Sequence, residues 1–75
     1  MELAFVQKLF DDLARGEYGS VARAKAIVAT EQGAYRFDLV FGRVDCFRHE
    51  KGVQESRVVV IGDGLDRLAI QDKLG

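Results

Sequence analysis

Cysteine, histidine and glutamate, all zinc-binding residue types, stand within the five positions of CFRHE, Cys46 to Glu50, which holds the chain's single thiol and single imidazole. A thiolate and a neutral imidazole are natural zinc ligands, and a carboxylate can complete such a set. The segment alternates in the manner of a strand, however, and successive strand side chains point to opposite faces. Cys46 and His49 then fall on opposite sides, whereas Cys46 with Glu50, or Asp45 with His49, share one. Each such pair supplies two ligands, which a dimer axis would double. The spacing therefore describes a small metal carrier for Zn using Cys46 and His49 across a dimer. The plainer reading is a buried Cys46 and a surface His49.

Positive charge offers a second chemistry. In SVARAKAIVAT, Arg23 and Lys25 alternate with alanines, and Arg36 follows in the next apolar stretch. Together the three describe a small anion or nucleotide site; singly, each is a solvated cation whose stem covers apolar neighbours. IGDGLD, Ile61 to Asp66, sets glycines between a strand and a helix, where a phosphate can rest on helix amides. Asp63 and Asp66 would repel that phosphate, and Asp63 is the expected N-cap. Asp11 and Asp12 read as a solvated helix face. Ser20, Ser56, Cys46 and His49 form no recognisable nucleophile–base pair, and no G-x-x-x-x-G-K-[ST] loop occurs, so no enzyme is expected.

Composition narrows the field. The 75 residues make one domain, 1–75, with eleven Lys and Arg against twelve Asp and Glu. A general nucleic-acid binder would carry a basic excess. Apolar residues form 48% of the chain and Pro is absent, which argues against disorder. No apolar run approaches the roughly 18 residues of a membrane span. The opening MELAFVQKLFDDLA lacks the basic start and unbroken apolar core of a signal peptide. One cysteine excludes an intramolecular disulfide and fits a reducing cytoplasm. Met1 favours a free-standing chain. At this size folding buries only roughly 60% of the unfolded surface, so association with another chain is expected.

The elements follow from periodicity. From Glu2 to Arg15, Leu3, Val6, Leu9, Phe10 and Leu13 recur at helical steps, Phe5 widens the stripe, and Gly16 ends it. From Ser20 to Thr30 the period is two: Ala22, Ala24, Ala26 and Val28 on one face, Val21, Arg23, Lys25 and Ile27 on the other. A strand accounts for that split, although alanine also favours helix. Turns at Glu31–Gly33 and Lys51–Gly52 bound strands in which Tyr35, Phe37, Leu39 and Phe41 alternate with Arg36 and Asp38, and then Arg43 to Glu50. RVVVI, Arg57 to Ile61, is an apolar strand, and Leu65, Leu68, Ala69 and Leu74 suggest a final helix. The expected fold is α+β: about four antiparallel strands with two helices on one face, order α-β-β-β-β-α, ferredoxin-like without its first strand.

The alanine face lets a helix approach closely, with Phe5, Leu9, Phe10 and Leu13 filling the groove. Two short helices cover one face of a sheet, so the face of Arg23, Lys25, Ile27 and Arg36 is left as an interaction surface.

YGSVARAKAIV and SRVVVIGDGLDRLAIQDKL, in that order, resemble the C-terminal domain of CobW-type GTPases, metal chaperones of cobalamin synthesis and zinc handling. Tyr18, Gly19, Val21, Arg23, Ala24 and Lys25 match the first family motif. Arg57, Val59, Val60, Ile61, Gly62, Leu65, Asp66 and Leu74 match the second. Ala26 replaces a usual glycine, and the family's initial strand, GTPase half and Cys-x-Cys-Cys motif are all missing from these residues. The resemblance implies a non-catalytic interaction module without GTP hydrolysis or the family's metal site. Its implied partners are a second copy, most simply in a homodimer, or a separately encoded CobW-type GTPase.

Overall fold

The computed structural model describes residues 2–52 and 55–74; Met1 lies outside them. The chain runs α1 (Leu3–Ala14), β1 (Ser20–Thr30), β2 (Gly33–Val40), β3 (Arg43–Arg48), β4 (Arg57–Asp63) and α2 (Arg67–Leu74). All neighbours are antiparallel, in the order β3-β2-β1-β4. Three consecutive strands thus form a meander, and the fourth returns beside the first, the spatial order of a Greek key. The expected α+β class and α-β-β-β-β-α order hold.

The core lies between one sheet face and the helices. Val6, Leu9, Phe10 and Leu13 of α1 meet Ala24, Ala26 and Val28 of β1, Phe37 and Leu39 of β2, and Ile70 of α2. The Phe10 and Phe37 rings stand 5.2 Å apart at 35°, a tilted geometry that aromatic pairs favour. Small alanines on β1 leave room for α1 and its phenylalanine, as the sequence suggested. Ala26, in the place of the family's glycine, is itself buried and pairs with Phe37 and Val58.

Several side chains depart from the expected faces. The β1–β4 register slips between Val21 and Arg23. A β-bulge of this kind re-aims side chains, and Val21 packs on the core instead of beside Arg23. Phe41 leaves the alternation because the β2–β3 hairpin turns through Phe41 and Gly42, whose φ angles are 46° and 82°. Two left-handed residues make the type I′ turn, whose twist matches that of antiparallel strands. Phe5 sits at the exposed margin of α1 rather than in the groove. In α2 the inward residue is Ile70, with Leu74 beside it, while Leu68 is exposed. Asp63 ends β4, and Asp66 caps α2 in its place, accepting the Ala69 N–H at 3.0 Å.

Gly16 ends α1 at φ 82° as expected. Asp12 is not simply solvated: it lies 3.3 Å from Lys8 Nζ and 2.6 Å from Arg15 Nη2.

Candidate functional site

The sheet face opposite the helices is open, and the strand register fixes what stands on it. Across β3, β2, β1 and β4 one row reads Phe47, Arg36, Ile27, Arg57. The next row reads Asp45, Asp38, Lys25, Val59, and the third reads Arg43, Val40, Arg23, Ile61. A shallow depression of about 680 Å³ runs over this surface, walled by Arg23, Lys25, Arg36, Phe47, Val59 and Ile61. Of the four residues expected to form an interaction surface, Arg23, Lys25 and Arg36 line it, and Ile27 lies between Arg36 and Arg57 in the first row.

Charge on the face is uneven. Five cations, Arg23, Lys25, Arg36, Arg43 and Arg57, share it with three acids, Asp38, Asp45 and, at the end of β4, Asp63. Asp38 and Asp45 are paired along their own strands: Arg36 Nε with Asp38 at 3.0 Å, and Arg43 Nε with Asp45 at 3.5 Å. Asp38 and Asp45 stand directly opposite each other, a repulsive arrangement that the flanking arginines offset. The Arg36 guanidinium also lies 5.0 Å above the Phe47 ring, a cation–π distance. Among the described residues Arg23 and Lys25 form no ion pair. They lie between Val40 and Ile61, and between Asp38 and Val59, respectively. The basic excess is therefore centred on β1.

The apolar part of the face is equally exposed. Val59 and Ile61 are 56% and 59% accessible, and Val40 and Phe47 are also exposed. Phe41, in the turn that follows Val40, is 82% accessible. Sequence periodicity hid Phe41 among core residues. The signal that identifies it is the glycine after it, which marks the second position of a two-residue hairpin loop.

The metal-type residues are not brought together into a cluster. Cys46 pairs with Phe37 on the core side of β3 yet is exposed, because β3 is an edge strand whose Val44, rather than Cys46, packs on the core. The expectation of a buried cysteine is corrected accordingly. Partial desolvation pushes its thiol above the ordinary 9.0. His49 lies beyond β3, its backbone N–H donating to Ala34 at 2.9 Å, in a shallow pocket with Arg48, Glu50 and Lys51. Among the described residues no group of three or more His, Cys, Asp or Glu could hold a metal ion.

The IGDGLD segment is occupied by the chain itself. Asp66 N–H donates to the Tyr18 carbonyl at 2.8 Å, tying this segment to the link before β1. The two family-like motifs thus lie against each other, far apart in sequence but adjacent in space.

A small α+β domain with helices on one side of its sheet and a charged, apolar-studded second side is the class this geometry defines. The chain belongs to the family described as the cobalamin synthesis protein cobW C-terminal domain, whose model matches residues 2–75. Searches of curated proteins and of solved structures found no match. Among the described residues no helix is long and apolar enough to cross a membrane.

Proposed function

We propose that this domain is a non-catalytic protein-docking module that works in the metal-chaperone and cobalamin-related setting of its family. Its docking surface is the open sheet face. The observation that carries this reading is the coincidence there of Arg23 and Lys25, which form no ion pair among the described residues, with exposed Val59 and Ile61.

Cations here stand beside solvent-facing apolar side chains, Arg23 between Val40 and Ile61, and Lys25 between Val59 and Asp38. An acidic partner surface with apolar side chains would neutralise the first and cover the second. Phe47 on β3 and Phe41 in the β2–β3 turn would supply aromatic anchors at the two ends of that hairpin. A separately encoded CobW-type GTPase is the partner that family membership favours.

The test is a calorimetric titration of this domain into a CobW-type GTPase truncated of its own C-terminal domain. Binding that weakens about tenfold or more in the Arg23→Glu, Lys25→Glu double variant supports the reading. Binding indifferent to those substitutions, or no binding, contradicts it.

A further inference from the structure

The two edges of the sheet are unequal. β3 spans six residues and carries Arg43, Asp45 and Arg48 along its length, the kind of charge placement that discourages strand addition. β4 spans seven, RVVVIGD, with four consecutive apolar residues and charges only at its ends. It is hydrogen-bonded to β1 on one side, and among the described residues the sheet order leaves the other side without a strand. Beside it runs a groove of about 230 Å³ lined by Val58, Val60, Leu65, Ile70 and Leu74 together with the polar Arg67 and Gln71.

The end charges identify what fits. Arg57 and Asp63 lie six residues apart, with Val60 midway between them. Antiparallel pairing of β4 with a second β4 about a two-fold axis at Val60 would set Arg57 opposite Asp63 of the other copy, twice. The same register sets Val59 opposite Ile61, and Val58 opposite Gly62. Strand residues an even number apart share a face, so Arg57, Val59, Ile61 and Asp63 meet their partners on one side of the sheet. Neither Arg57 nor Asp63 has an ion-pair partner among the described residues.

We propose that the β4 edge is a homodimerisation site, joining two domains into one continuous eight-stranded sheet through a β4–β4 pair centred on Val60. An arbitrary extended peptide would satisfy the backbone, and a second copy of this chain adds the matching charge at both ends. The two-fold axis runs perpendicular to the sheet, so both helical layers fall on one side and both open faces on the other. Val59 and Ile61 of the two copies then form one apolar strip across the axis, flanked by Arg23 and Lys25 from each. This inference goes beyond the docking reading and does not require it.

Sedimentation velocity across the micromolar range tests it, using wild type, Arg57→Asp, Asp63→Arg, the double swap, and the Arg23→Glu, Lys25→Glu variant, with circular dichroism to verify folding. Wild type should dimerise, and each single reversal should raise the dimer Kd about tenfold by opposing like charges at two places. The double swap should restore the affinity, and the Arg23, Lys25 variant should leave it unchanged even where it abolishes partner docking. A wild-type monomer, or a dimer indifferent to the single reversals or not rescued by the double swap, overturns the proposal. Hydrogen exchange on wild type gives an answer without any substitution. The amides of Val58, Val60 and Gly62, which alternate with those bonded to β1 and point to the free edge, should become protected as concentration rises, and their failure to do so also overturns it.

Discussion

The Ser20 carbonyl occupies the space that a Cβ on Gly62 would need, so β4 and β1 approach there as bare backbone. The contact coincides with the register slip between Val21 and Arg23. Gly19, at φ 117°, is similarly confined: a Cβ there would lie 2.5 Å from the Gly64 carbonyl. With the Asp66 to Tyr18 hydrogen bond, these glycines clamp the end of β4 to the start of β1. They thereby fix which residues of β1 reach the open face.

Gly62→Ala is therefore expected to destabilise the domain by about 1–3 kcal/mol, the usual cost of forcing a group into filled space. Gly42→Ala, with nothing within 4 Å of the new methyl but a φ of 82°, should cost only about 1–2 kcal/mol from left-handed strain. Thermal melts of the two variants would rank them, and the opposite ranking would refute the clamp.

Phe41 sets stability against function. A phenylalanine at φ 46° is strained, and its ring is almost wholly in water. Phe41→Asn should raise stability by about 1 kcal/mol, because asparagine tolerates the left-handed region. If the ring is a docking anchor, the same variant should bind the GTPase partner more weakly. A denaturant melt and a titration on one sample measure both effects.

Strong acid should weaken α1. The Arg15 guanidinium, followed by the Lys8 ammonium, holds the Asp12 carboxyl below its ordinary 3.8 against some opposing desolvation. A depressed folded-state value means that the stabilisation is complete above 3.8 and fades as pH falls from there through the folded value. The stability difference between wild type and Asp12→Asn should thus be constant from neutral pH down to about that point, then shrink in stronger acid. Urea melts at a series of pH values would follow it.

Cys46 should behave as an ordinary neutral thiol. Zinc takes the thiolate, and burial disfavours that form here. Zinc titrations of wild type and Cys46→Ser are expected to give the same weak binding. A loss of about tenfold or more in the serine variant would instead restore a metal role for Cys46.

Much of this architecture was legible from alternation. The Ala24, Ala26, Val28 face and the Arg23, Lys25 face separate because a strand allows no other arrangement. Leu9, Phe10 and Leu13 find the core because helical spacing brings them to one side. What escaped depended on contacts distant in sequence. Val21 changes face at a bulge set against Gly62, forty-one residues away. Asp63 failed as a cap because β4 continues through it to pair with Ser20. Phe41 looked like a core residue until the hairpin closed one position earlier. The open face was anticipated as apolar surplus, but its basic bias required the register, which alone brings Arg43 and Arg57 into line with Arg23 and Lys25.

Docking through the open sheet face is tested most directly by titrating a C-terminally truncated CobW-type GTPase with wild-type domain and with the Arg23→Glu, Lys25→Glu variant, both shown to melt at the same temperature. Saturable binding by wild type and an affinity about tenfold lower or worse for the variant is the predicted result. Equal affinity for the two proteins, or no heat of binding for either, would contradict it.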